Sequence, residues 1–446
     1  MLCVIRDSSK PLAEMLMPEP QNLVQLKVRG LFGRFDYDLP ITRTDSPIAL
    51  LTAPNGYGKT HLLHMIDALA RQDYLELSRY TFDSLEIQLA DQSQMTVTRM
   101  NMEGNSGICR MDLKERSLGK EQEQRASVAV HPQWGARWES EETDSAATEW
   151  PERRKEFRNP TDPRAHVPHW VQAWHQRLQR VSMLPSVRLP VQSSMWAEMG
   201  GMPEGSKLDA VREQIQRSVQ QSLKDYAQTV REHERNLPQS LLQALQGTEE
   251  ISTEELRGLF GRLQEQERCL EGLQLISPGT TESILPTGAN YLAEQGRLLR
   301  CYCENILERF HMLQHCSRRL KLLLDTLNLW LHRKHFQTDS TGQLELRVMD
   351  RNGELRQPLS LDKLSSGEQQ LVYLLGLLIF DTQPKQLVLL DEPELSLHPA
   401  WQDDFLPLLQ QICELNDCYL LMATHSPSLV GDDWNIVCEL ADQVEN

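Results

Sequence analysis

The stretch Ala53-Pro-Asn-Gly-Tyr-Gly-Lys-Thr60 decides how the rest of the chain is read. It fits a phosphate-binding loop except at its first position, where alanine stands in place of glycine. Such a loop turns successive backbone N–H groups inward onto phosphate oxygens. That demands unusual backbone torsions and no side-chain bulk at Gly56 and Gly58. Lys59 would carry positive charge to the phosphates, and Thr60 would offer a hydroxyl to Mg²⁺. The helix that starts there adds its N-terminal dipole. Ala53 occupies the tight turn rather than the cradle, so its side chain costs the loop little. The flanks agree with this reading. Ile48-Ala-Leu-Leu51 is an all-apolar run suited to a central strand, and Leu62, Leu63, Ile66 and Leu69 recur at helical spacing.

Working outward, Leu23-Val-Gln-Leu-Lys-Val-Arg alternates and Phe35-Asp-Tyr-Asp-Leu follows a turn at Gly33. Period-2 alternation marks half-buried strands. Further alternating runs near 84–90, 94–100 and 108–113 predict an antiparallel arm of the same lobe. Residues 115–168 are rich in charge, Pro and Ser without sustained periodicity, which predicts a surface insertion or linker. Its tryptophans, with Trp170 and Trp174 just beyond, are expected to pin it to the body, the alternative being a partner-docking patch.

The region 205–336 reads as helical. Leu208, Val211, Ile215, Val219, Leu223, Tyr226 and Val230 form one stripe, and Pro238 is expected to start a new element. Ser252-Thr-Glu-Glu255 is a capping-box sequence ahead of Leu256, Leu259 and Leu263. Ile306, Phe310, Leu313, Leu320, Leu324, Leu327 and Leu331 follow a 4-3 spacing with Ser317 in the one polar slot. That repeat suits either packing within a helical bundle or a short coiled-coil hairpin.

From 343 the β pattern returns. Leu364-Ser-Ser-Gly-Glu368 precedes an apolar helix, and a Ser hydroxyl with Gly amides at a helix N-terminus makes either an ordinary cap or an anion site. In Leu387-Val-Leu-Leu-Asp-Glu392 an apolar strand delivers two carboxylates to its end. Asp391 is placed to hold Mg²⁺ through water and Glu392 to orient and deprotonate an attacking water. Pro393 stops the strand. His425 follows the apolar strand Tyr419-Leu-Leu-Met-Ala423, where it could sense the same phosphate.

Together, Asn-Gly-Tyr-Gly-Lys-Thr60, Leu-Ser-Ser-Gly-Glu368, Asp391-Glu-Pro-Glu-Leu-Ser-Leu-His-Pro399 and Ala423-Thr-His-Ser-Pro427 resemble the ABC-type ATPases of the SMC, RecF and OLD branch. The resemblance implies an α/β fold: an ABC-type P-loop ATPase head, with a mixed sheet and an antiparallel β arm, interrupted by a helical, coiled-coil-like insertion. It implies the boundaries 1–114 and 338–446 for the two halves of the head, 115–180 for the Trp-bearing insertion, 181–204 for a return strand and linker, and 205–337 for the helical insertion. It implies ATP and Mg²⁺ as ligands. Asn55, Gly56, Tyr57, Gly58, Lys59 and Thr60 would form the nucleotide loop, with Thr60 and Asp391 at the metal. Glu392 would be the catalytic base and His425 the switch histidine. Ser365, Ser366, Gly367 and Glu368 would contact ATP bound by a second copy of the chain, and Ser396-Leu-His398 would cross the dimer interface. No glutamine for the Q-loop role can be placed; the expected strand near Val181–Leu189 offers Ser186, Val187 and Arg188. Within the branch, the Leu-Ser-Leu-His-Pro-Ala-Trp-Gln402 continuation is most similar to ATPase subunits of anti-phage systems of the PARIS, Septu and OLD-like types. In that setting the effector, a nuclease or toxin, is expected in a separate chain.

Composition narrows the alternatives. The net charge of −17 argues against coating in nucleic acid through bulk electrostatics, while leaving room for one local basic groove. No run of ~18 apolar residues suits a membrane span. The start, Met1-Leu-Cys-Val-Ile-Arg-Asp, is unlike a secretory signal. Nine scattered cysteines, with no Cys-x-x-Cys pair, fit a reduced cytoplasm and small core-filling roles. Three functional readings follow: an ATP-dimerised ATPase controlling a partner, a RecF-like clamp on DNA, and an ATP-stabilised scaffold with little turnover.

Overall fold

The computed structural model describes residues 22–42, 46–101, 109–117, 123–131, 135–139, 167–184, 205–278, 293–350, 354–430 and 434–444. The chain divides into two compact units, residues 1–187 with 383–446, and residues 188–382.

The first unit holds two sheets. Strands β1 (Leu23–Leu31), β2 (Phe35–Pro40), β4 (Ser84–Leu89), β5 (Gln94–Asn101), β6 (Cys109–Arg116), β7 (Gln124–His131) and β8 (Gly135–Glu139) form an antiparallel sheet in the order β2-β1-β4-β5-β6-β7-β8. Strand β3 (Ile48–Thr52) belongs to a parallel sheet with β9 (Val181–Met183), β13 (Leu387–Asp391), β14 (Tyr419–Thr424) and β15 (Val437–Glu439), in the order β15-β3-β14-β13-β9. Four consecutive buried residues of β3 and of β13 match their all-apolar sequences, as strands covered on both faces require. Helices α1 (Lys59–Ala70), α2 (Tyr74–Leu77) and α3 (His169–Leu178) join the two sheets in one hydrophobic core. Asp67 on α1 accepts the Met183 N–H at 3.2 Å, which ties the edge strand β9 to the helix.

Several features depart from the sequence reading. Residues 124–131 and 135–139, expected in a linker, extend the antiparallel arm by two strands. In β7 the buried face is only Ala126, Val128 and Val130, a run too short to stand out beside the charged stretches that flank it. Helix α3 lies in the same stretch and buries Val171, Trp174 and Leu178. The expected pinning role fits Trp174, which is 1 % exposed, and Trp138, whose ring meets Tyr74 edge-on at 5.3 Å. Trp134 and Trp150, and the stretch 185–200 with Ser186, Val187 and Arg188, lie outside the described residues.

In the second unit, α4 (Gly205–Gln246), α5 (Thr253–Gly272) and α6 (Ala293–Trp330) pack together, so the 4-3 stripe of α6 lies within a bundle. Ile306, Phe310, Leu313, Leu320, Leu324 and Leu327 are buried, and the Ser317 hydroxyl donates to the Gln314 carbonyl at 3.0 Å. The capping box at Ser252 forms as expected, with Ser252 and Glu255 each accepting the other's N–H at 3.1 Å. Pro238 does not start an element; it lies inside α4. Pro238 and Glu234, one turn earlier on the same face, are both exposed, so water can satisfy the carbonyl that the missing N–H abandons. Strands β10 (Lys334–Thr338), β11 (Leu344–Met349) and β12 (Leu355–Leu359) form an antiparallel sheet, followed by α7 (Ser366–Phe380). Residues 338–382, expected with the C-terminal half of the head, group with the helices in this unit.

Candidate nucleotide site

The parallel sheet explains why residues so far apart in sequence meet. In β3, β14 and β13 the chains run the same way, with Thr52 opposite Thr424 and Ala423 opposite Asp391. All three strands therefore release their next residues at one carboxyl edge, the usual place for a ligand in such sheets. Those residues are the phosphate loop, His425 and the Asp391-Glu392 pair.

Gly56 and Gly58 adopt φ of 92° and 87°, in the region that favours glycine, and Gly58 caps α1. A Cβ on Gly58 would also lie 3.1 Å from Leu31 Cδ2. Asn55 and Gly56 are exposed, whereas Tyr57 turns inward. Its ring stacks on Phe35 at 5.5 Å and its carbonyl accepts the Tyr37 hydroxyl at 2.7 Å, so the Tyr57 side chain buttresses the loop.

Lys59 is 5 % exposed, and its Nζ donates to the Ala53 carbonyl at 2.6 Å. Burial pushes its ammonium below the ordinary lysine range, while Glu392, Glu439, Asp391 and Glu394 pull it back up. Its Nζ also lies 3.1 Å from His425 Nδ1, and His425 Nε2 lies 2.8 Å from Glu392 Oε1. An ammonium has donors only, so Nδ1 accepts, Nε2 carries the proton and the ring donates to Glu392. Lys59, His425 and Glu392 thus form one chain of contacts.

The Thr60 hydroxyl donates to Asp391 Oδ1 at 3.0 Å. Burial pushes the Asp391 carboxyl up, the Thr60 hydrogen bond opposes this and neighbouring Glu392 adds to it. A hydroxyl and a desolvated carboxylate side by side are hard oxygen donors of the kind Mg²⁺ takes, and a cation there would relieve the burial of charge. Glu392 itself sits in left-handed backbone, φ 47°, with its N–H bonded to the Ala423 carbonyl at 2.9 Å. Pro393 then begins a 3-10 turn, which ends the strand as expected.

One residue escaped the sequence reading. Glu394 is 4 % exposed and accepts both the Thr424 hydroxyl, at 2.5 Å, and the His425 N–H, at 3.0 Å. It fixes the strand end that presents the histidine. The signal was a second acid after Pro393 in a segment otherwise destined for the interior. The Ser426 hydroxyl is bonded to Gln402 at 3.3 Å on α8 (Pro399–Asn416), whose N-cap is His398.

Ser365, Ser366, Gly367 and Glu368 lie in the second unit, at the start of α7. Ser365 and Ser366 are exposed there. Glu368 has a local role: it accepts the Ser365 N–H at 2.9 Å and pairs with Lys334, contacts that hold its carboxyl below the usual range against the opposing effect of burial.

Comparison with known proteins bears on this geometry. Residues 289–431 match the family model described as AAA domain, putative AbiEii toxin, Type IV TA system. The phosphonates import ATP-binding protein PhnC 2 of Cupriavidus metallidurans is 29 % identical over 170 residues, 36 % of this chain, and the chain spans 58 % of that relative's length. Among solved structures, the Smc head domain with an extended coiled coil bound to the C-terminal domain of ScpA, from Pyrococcus furiosus, aligns over 92 % of this chain and 91 % of its own at a TM-score of 0.35 and 10 % identity. The Smc head domain with a coiled coil and joint from Pyrococcus yayanosii aligns over 92 % and 93 % at 0.33 and 11 %. With the phosphate loop and strand-end acids, the two sequence matches support an ABC-type P-loop ATPase. No helix among the described residues is long and apolar enough to cross a membrane.

Proposed function

We propose that the chain binds ATP with Mg²⁺ at the phosphate loop, pairs with a second copy around the nucleotide, hydrolyses it, and through that cycle controls a separate effector protein in the cytoplasm, in anti-phage defence. The observation that carries the chemistry is the juxtaposition of Lys59, Thr60, Asp391, Glu392 and His425 at one sheet edge, with Thr60 3.0 Å from Asp391 and His425 2.8 Å from Glu392. Thr60 and Asp391 would hold the metal. Bound there, Mg²⁺ neutralises phosphate charge. Backbone N–H groups of 55–60 cradle the phosphates while Lys59 leaves the Ala53 carbonyl to meet them. Glu392 accepts the proton of the attacking water, and the His425 ring, already bonded to Glu392, holds that carboxylate in place.

Pairing is supported by the exposed start of α7, where Ser366 stands at the first helical position beside Ser365, which is engaged with Glu368 in a capping box. A separate effector and the defence setting rest on the sequence resemblance and on the family match to 289–431. Steady-state phosphate release from purified protein tests the core of this reading. Glu392→Gln should bind ATP like the parent yet lose at least ~100-fold in turnover, the scale of losing a positioned base. Turnover at the parental rate would refute the assignment of Glu392.

A further inference from the structure

The second unit contains a cavity of about 450 Å³ between α5 and α6, well inside the size range of small-molecule sites. Three cations line it: Arg262 from α5, and Arg318 and Lys321 from α6. Among the described residues none of the three makes a hydrogen bond or an ion pair. The only carboxylate in the lining is Glu265, so the wall is net positive in a chain whose overall charge is −17. Elsewhere on the same helices cations find acids, as Arg300 does with Glu304 at 2.8 Å. Free guanidinium groups offer planar donor forks that match phosphate oxygens.

The remaining wall adds polarity and a hydrophobic surface. Gln266 Oε1 is buried without any hydrogen-bond partner, an arrangement that costs stability unless something donates to it. Ser317, the single polar slot in the α6 stripe, is 7 % exposed and keeps acceptor capacity after donating to Gln314. Phe310 closes the apolar side. We propose that this cavity binds a small phosphate-bearing ligand, whose phosphate meets Arg262, Arg318 and Lys321 and whose O–H or N–H donates to Gln266. It lies in a different unit from the phosphate loop and uses none of its residues.

Cys269 supplies a local reporter, because it lines the cavity as a free, half-buried thiol, whereas the half-buried Cys301 on α6 is not in the lining. The full-length protein is alkylated with iodoacetamide and each cysteine is followed by peptide mass spectrometry, with pyrophosphate or AMP as probe. At about ten times Kd the Cys269 rate should fall about tenfold, since only the free site reacts, with Cys301 unchanged. The triple variant Arg262→Ala, Arg318→Ala, Lys321→Ala should lose this protection while keeping its helical circular dichroism. Lys59→Ala should retain it. The proposal is overturned if neither probe slows Cys269, if the triple variant is protected as well as the parent, or if Lys59→Ala abolishes protection. Protection by a polyglutamate peptide but by neither probe would overturn it in favour of an acidic protein segment.

Discussion

At the scale of single residues, the candidate site is held by groups that do no chemistry themselves. Glu394 joins the end of β13 to the end of β14 through Thr424 and His425. Glu394→Ala removes Oε1, the one atom that accepts both bonds, from a buried pocket and should cost about 2–4 kcal/mol in chemical denaturation, whereas Glu394→Gln can keep that oxygen as an acceptor and should cost less. ATP turnover should fall further in the alanine variant than nucleotide affinity does, because the histidine rather than the loop is displaced. His175 is a second buried group with a measurable consequence. It is 1 % exposed, its Nε2 lies 2.9 Å from the Tyr74 hydroxyl, and burial pushes its pKa down to about 4. Between that value and the ordinary 6.5 the unfolded chain holds a proton that the folded chain lacks. Stability from this residue is therefore complete above pH 6.5 and is lost as pH falls toward 4, by up to about 3 kcal/mol. Urea unfolding across that window should show the decline in the parent and a flatter profile in His175→Gln.

At the scale of elements, helix approach in the second unit depends on one missing side chain. A Cβ on Gly376 of α7 would lie 2.2 Å from Val211 Cγ1 on α4, and Val211 is a β-branched residue with little rotamer freedom. Gly376→Ala should therefore destabilise by about 1–3 kcal/mol despite alanine's better helix propensity, read as a lower urea midpoint; an unchanged midpoint would mean the helices move apart without cost. The same level shows what could be read in advance. Strands β3, β13 and β14 were legible because continuous apolar runs end abruptly in polar or catalytic residue types. The cap at Ser252 was legible because its chemistry is local. Strand β7 was not, since Ala126 and Val128 gain their burial from residues distant in sequence that share the core. Nor was the run of α4 through Pro238, because tolerance of a proline depends on which face of the helix meets water. The second acid after Pro393 hinted at Glu394, but its role was not legible for a related reason: its partners Thr424 and His425 lie 30 residues or more away, and only strand pairing brings them near.

At the scale of the whole molecule, the phosphate loop with its acids belongs to one compact unit and the Leu364–Glu368 segment to the other. A large substitution at the exposed start of α7, such as Ser366→Arg, should therefore leave ATP affinity within about twofold, as surface changes away from a site generally do. It should depress turnover and the ATP-dependent dimer measured by light scattering with Glu392→Gln. Equal losses of affinity and turnover would place Ser366 in the same half-site as Lys59. The sheet order has one more consequence, which concerns time. Among the described residues strand β3, which feeds the phosphate loop, is flanked by β14 and β15 alone, and both lie roughly 370 residues or more further along the chain. At about 5–20 residues per second of synthesis, that apolar strand waits roughly 20–70 s on the ribosome before either partner exists. During that interval Ile48-Ala-Leu-Leu51 is an unpaired sticky edge, so newborn chains of this protein should lean on a holding chaperone until Tyr419–Thr424 emerges.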